Sequence, residues 1–235
     1  MPLMRLDRML SSQGSCMRKE VKELVRAGEV RVGGESPKSA DIKIDTAKDR
    51  IFLSGREIIY KEHIYIMMNK PQCVVSASSD PKQRTVIDLL PASLRRPGLF
   101  PVGRLDKDTE GLLIITDDGP FAHRVLSPVN HVGKRYLALL DRPALDDDIE
   151  AFKEGVILSD GYECMPALLE TDGGMVFVTI SEGKYHQIKR MFEARQKKVL
   201  YLKRLSMGGL ALDKSLEPGE FRELLPQEIA SIRPE

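Results

Sequence analysis

At 235 residues with 42% hydrophobic side chains, the chain is long enough for one large domain or two smaller ones and for a real buried core. Its 36 Lys and Arg against 35 Asp and Glu leave a net charge of +1, which excludes a nucleic-acid binder held by bulk charge and leaves only local patches for such a partner. Three scattered cysteines without a CxxC pair argue against a zinc or redox motif, no apolar run is long enough for a bilayer, and Arg5, Asp7 and Arg8 stand where a secretory leader needs apolar residues, so a protein of the reducing cytoplasm, away from membranes, is expected.

The first elements fall within residues 1–60. Leu6, Met9 and Leu10 lie on one side of a short amphipathic helix starting near Arg5. Ser15 is placed to cap a second helix running to about Ala27, whose apolar face is Met17, Val21, Leu24 and Val25. On this helix Arg18, Lys22 and Arg26 recur every four residues beside Lys19 and form a basic stripe. A solvated helix face looks the same, but Arg5, Arg8 and Arg31 in the same small module supply the clustering that phosphate neutralisation requires. Gly28 ends the helix by a left-handed conformation, and Val30, Arg31 and Val32 before Gly33 and Gly34 read as a strand entering a tight turn. Two short helices followed by this V-x-V-x-G strand resemble the α-L RNA-binding module, expected over residues 1–60.

Residues 61–235 form the expected second domain. The pattern predicts strands at residues 63–68, closed by Asn69, Lys70 and Pro71, and at 112–116, 135–140, 175–180 and 199–202. Helices are predicted at residues 120–126, 146–153 and 186–195. Strands outnumber helices and do not alternate with them regularly, which gives an α+β fold with a mixed, mainly antiparallel sheet. Residues 77–84, rich in Ser, Asp, Lys and Pro, read as an exposed loop.

Two stretches carry chemistry. Between Gly103 and Gly111 a tight polar segment holds Asp106 and Asp108 and then enters an apolar strand. Such a loop holds a carboxylate rigidly, although by pattern alone an Asp there is more often a turn-former bonded to local backbone. Asp117, Asp118 and Gly119 read as a turn leading into a helix. Farther on, a helix at residues 186–195 puts Ile188, Met191 and Phe192 in the core and His186, Lys189 and Arg190 on another face. Lys197, Lys198, Lys203 and Arg204 extend a cationic stretch whose only acid is Glu193, a composition suited to RNA contact.

Lys70-Pro71-Gln72, G-R-L-D at residues 103–106 with Thr109 and Gly111, Lys134-Arg135-Tyr136, Glu182 through Met191, and the tail from Pro218 to Leu224 occur in an order that resembles the pseudouridine synthases of the RsuA family, over nearly the whole chain. The resemblance implies isomerisation of a specific uridine to pseudouridine in 16S (small-subunit) ribosomal RNA, by an aspartate nucleophile acting on a flipped base. The reaction needs neither redox nor phosphate chemistry, so no cofactor and no metal is expected, in keeping with the absence of a P-loop, a G-x-G-x-x-G or a metal-spaced cluster.

The family's aspartate maps onto Asp106. Its basic salt-bridge partner maps onto Lys189, with Arg190 as the neighbouring alternative; many relatives carry Arg here, and Lys keeps the charge but not the bidentate fork. Tyr136 corresponds to the aromatic that stacks on the base, and Arg104 to the residue that fills the gap left in the RNA. Lys70 and Pro71 are assigned to the wall of the site. The implied partner is ribosomal RNA within a partly assembled small subunit, met by a monomer. Two other readings share the basic surfaces: a large-subunit (23S) rRNA synthase of the same family, and a non-catalytic rRNA-binding assembly factor.

Overall fold

A computed structural model of the chain describes residues 3–232; Met1, Pro2 and residues 233–235, at the ends of the two expected domains, lie outside the described residues. The chain divides into two compact units, Met1–Ile64 with Leu90–Leu99, and Tyr65–Leu89 with Phe100–Glu235. Leu90–Leu99 therefore packs with the first unit, although the sequence reading gave it to the second domain. The contact is intimate: Arg96, 9% exposed, donates to the carbonyls of Lys61 at 2.9 Å and Glu62 at 2.7 Å. A Cβ on Gly14 would meet the Arg95 carbonyl at 2.4 Å.

In the first unit β1 (Leu3–Arg5) leads into α1 (Leu6–Ser12), followed by α2 (Arg18–Arg26), β2 (Val30–Val32), β3 (Lys43–Asp45), β4 (Ile51–Leu53) and β5 (Arg56–Ile58). β1 pairs with β3, and β2, β4 and β5 form an antiparallel sheet. Leu6, Met9 and Leu10 of α1 join Val21 and Val25 of α2, Val30, Ile44 and Ile51 in one core. α2 begins two residues later than a cap at Ser15 would place it, with Met17 in the cap position. Gly14 turns the chain at φ +72°, and Met17 precedes the helix with its N–H donating to Glu20 at 2.8 Å. Gly28 follows α2 at φ +77°, the left-handed stop expected of it.

The second unit comprises β6 (Tyr65–Lys70), β7 (Phe100–Pro101), β8 (Glu110–Thr116), α3 (Gly119–Leu126), β9 (Lys134–Leu140), α4 (Asp146–Glu154), β10 (Leu168–Asp172), β11 (Met175–Ile180), α5 (Gln187–Ala194), β12 (Val199–Met207), β13 (Leu210–Ala211), β14 (Phe221–Glu223) and α6 (Pro226–Ser231). The main sheet runs β10-β11-β9-β12-β8-β6-β14, with β13 on β12 and β7 on β8. Every pairing is antiparallel except β12 with β8, so the fold is the mixed α+β sheet expected. β8 is buried on both faces, which is why it reads as a continuous apolar run. α3 sets Phe121, Ala122 and Val125 against Met67, Leu112, Ile114 and Met207. Asp118 caps α3 by accepting from the Phe121 N–H at 3.0 Å.

Candidate active site

The loop between β7 and β8 carries Asp106, and its shape begins with two glycines. Gly103 has φ +77°. Gly111 has φ +102° and faces Arg204 across the parallel pair of β8 and β12; a Cβ there would lie 2.2 Å from the Arg204 carbonyl oxygen. Only glycine lets these strands approach so closely.

Between the glycines, successive backbone groups are tied down. Ser76 Oγ donates to the Leu105 carbonyl at 2.9 Å and accepts from the Leu105 N–H at 3.1 Å. The Cys73 N–H donates to the Lys107 carbonyl at 2.8 Å. Lys70, with no exposed surface, donates its Nζ to the carbonyls of Pro71 at 2.9 Å, Asp106 at 3.1 Å and Thr109 at 2.9 Å. Burial pushes the Lys70 ammonium down to about 8, against the pull of Asp108 and Asp106. Lys70 thus lies within β6 rather than after it, and it braces the loop from below.

The Asp106 side chain faces α5. Its Oδ2 lies 3.1 Å from Lys189 Nζ and its Oδ1 lies 3.5 Å from His186 Nε2. The same ammonium reaches Asp108 at 2.5 Å. Burial draws the Lys189 pKa down, but the hydrogen bonds to Asp108 and Asp106 outweigh it and hold the amine above its ordinary value. Arg190 does not share this role: it turns away to pair with Asp160 at 2.5 Å and lies outside the cleft lining. The expected common face of His186, Lys189 and Arg190 is therefore split: His186, which sits before α5 at φ +47°, and Lys189 both meet Asp106, and Arg190 does not.

Asp106, Arg104, Tyr136, His186 and Lys189 line one cleft of about 560 Å³, a volume ordinary for small-molecule sites. Arg104 is exposed, and Tyr136, on β9, is only 7% exposed. Arg204 lies behind Tyr136 with its guanidinium 6.0 Å from the ring centroid. It is 2% exposed and donates Nε to the Leu112 carbonyl at 2.7 Å. Lys134 Nζ donates to the Val132 carbonyl at 3.0 Å, and burial pushes its pKa down to about 8.

Beneath α5 the buried Glu182 accepts from Tyr162 Oη at 2.7 Å, Met165 N–H at 2.9 Å and Gln187 Nε2 at 2.7 Å. Lys70 was expected at the wall of the site, whereas Glu182, Gln187 and Arg204 were not assigned to its framework. A charged or amide side chain next to a motif was the available signal, and burial is what distinguishes these three.

The cationic stretch after α5 is less of an outer surface than its composition suggested. Arg195 and Lys197 both pair with the buried Asp148, at 3.0 and 2.7 Å, and Arg204 is internal. In the first unit Arg8, Arg18, Lys19, Lys22, Arg26 and Arg31 are exposed. Arg5 is exposed too, but it is engaged bidentately by Asp7, at 3.1 and 2.7 Å.

Comparison with known proteins bears on both units. Residues 64–194 match the RNA pseudouridylate synthase family and residues 4–51 match the S4 domain. An uncharacterized RNA pseudouridine synthase of Bacillus subtilis is 46% identical over 231 residues, covering 96% of this chain and 97% of its own. The ribosomal small subunit pseudouridine synthase A of Escherichia coli K12 is 40% identical over 232 residues, covering 97% of this chain and all of its own. A crystal structure of a pseudouridylate synthase superposes with a TM-score of 0.68 at 37% identity, over 97% of this chain and 99% of that one.

Proposed function

This chain belongs to the RNA pseudouridylate synthase family, and from that premise we propose that it isomerises a uridine of small-subunit ribosomal RNA to pseudouridine with Asp106 as the catalytic carboxylate. The observation that carries the reading is the ion pair of 3.1 Å between Asp106 and Lys189, in a cleft that Tyr136 also lines. Pseudouridine formation breaks the bond between ribose C1′ and uracil N1 and makes one from C1′ to C5; the C5 proton leaves and N1 regains one. Asp106 presents its oxygens where that bond is remade, and Lys189 aims the carboxylate through their ion pair.

Tyr136 holds the uracil by its face, so the detached base is retained while it turns. Arg104, exposed at the lip, fills the space the extruded base leaves in the RNA; unstacking that base costs a few kcal/mol. The S4-type unit anchors RNA through Arg8, Arg18, Lys19, Lys22, Arg26 and Arg31, with Arg5 held in an ion pair by Asp7. His186 orients Asp106 from its second oxygen, and Arg190, expected to bind RNA, is engaged by Asp160 outside the cleft lining. The protein acts as a cytoplasmic monomer on a partly assembled small subunit.

Asp106→Asn preserves size and removes charge. It is expected to lower tritium release from 5-tritiated small-subunit rRNA by about 10⁴-fold or more, as loss of an activated nucleophile does in other enzymes. Thermal unfolding and RNA affinity are expected to stay near wild type. Substantial residual turnover would remove Asp106 from the role.

A further inference from the structure

Tyr185 is 72% exposed, and its ring stacks on His186 with centroids 3.8 Å apart and planes 18° apart. His186 in turn reaches Asp106 at 3.5 Å, so an aromatic pair continues directly outward from the carboxylate. Both rings line the cleft. One face of Tyr185 is covered by His186, and the side chain's high exposure leaves the other open.

The backbone that carries the pair is tied to the start of α5. His186 sits at φ +47°, a backbone conformation costly for a non-glycine residue unless its surroundings impose it. The surroundings do: the Lys184 N–H donates to Gln187 Oε1 at 2.9 Å, and Gln187 is fixed in turn by the buried Glu182 at 2.7 Å. Arg104, Lys107 and Lys184 are exposed cations lining the same cleft, with Asp80 as an exposed acid there. A half-open aromatic stack with exposed cations in the same cleft is an arrangement that binds single-stranded nucleic acid, because every base has a face to stack and every nucleotide a phosphate to neutralise.

Resting on the proposed activity, we infer that Tyr185 and His186 form a stacking platform for an unpaired base adjacent to the extruded uridine. Tyr185 is a binding residue for the flanking strand. It anchors the neighbour of the target so that the uridine is delivered to Asp106.

The test combines turnover and binding. Tyr185→Ala is expected to raise KM for small-subunit rRNA roughly five- to a hundredfold, the effect of one lost base–aromatic stack. Its kcat and melting temperature should stay near wild type, and Tyr185→Phe should restore KM. Because the chain has no tryptophan, Tyr185→Trp places a single reporter at the platform, and its emission should be quenched by oligouridylate. An unchanged KM in Tyr185→Ala with active wild type overturns the platform and leaves the activity standing. Inactive wild type overturns the proposed activity; in that case quenching by oligouridylate still supports the platform, and a lack of quenching refutes it too.

Discussion

Lys70 carries its ammonium to three backbone carbonyls with no surface left to water. Burying a charge costs free energy, and here the cost shows in a pKa near 8 instead of 10.5. Below pH 8 the amine is protonated in both folded and unfolded chains, and the penalty is fully present. Between pH 8 and 10.5 the unfolded chain holds a proton that the folded one has lost, so stability rises with pH across this window. Lys70→Met removes the titrating group. The stability of wild type relative to this variant is therefore expected to increase from pH 8 to 10.5, by up to roughly 3 kcal/mol. Urea unfolding at a series of pH values reads it, and a flat difference would contradict the assignment. The variant also removes the Lys70 donor from the Pro71, Asp106 and Thr109 carbonyls and so loosens the loop, and its turnover should fall even at neutral pH.

At the scale of elements, the parallel contact between β8 and β12 is the joint that brings the two ends of the site together. β8 follows the Asp106 loop, and β12 brings Arg204 behind Tyr136. The joint depends on Gly111, whose added Cβ would collide with backbone rather than with a side chain that can move. Gly111→Ala is expected to destabilise the chain by about 3 kcal/mol or more, since it combines a backbone clash with a left-handed φ. A shift of the urea midpoint measures this, and a variant as stable as wild type would show that the strands separate freely. The same joint shows what pattern could and could not convey. Gly111 stood out as one of two glycines bracketing a polar loop, but its partner on β12 lies 93 residues away in sequence and left no local mark.

For the molecule as a whole, the net charge of +1 hides a division of labour. The cations of the α2 stripe are exposed, whereas many of those after α5 are bound to Asp148 or buried. Replacing Arg18, Lys22 and Arg26 together by Gln should weaken RNA binding. It should also lower the slope of log affinity against log salt by about 2, since each phosphate contact contributes ~0.7–0.9. An unchanged slope in filter-binding titrations would mean that the stripe is only a solvated face. Substitution is a cleaner test than deleting residues 1–60, because Leu90–Leu99 belongs to the same compact unit and would lose its packing.

Sequence by itself determined the strands and helices with strong periodicity, the α+β class and the stop at Gly28, and it singled out the G-R-L-D loop whose carboxylate faces Lys189. Each rests on local pattern or on a contiguous motif. Short elements escaped it: β3, β4 and β5 have three residues each, too few for alternation to register. Tertiary structure alone decided that Lys189 rather than Arg190 meets Asp106, that Lys70 and Glu182 are buried braces, and that Leu90–Leu99 packs with the first unit. The physical reason is common to all three. Whether a charged side chain faces water, a carboxylate or a backbone carbonyl depends on burial and on partners distant in the chain, and neither is written in the spacing of neighbouring residues.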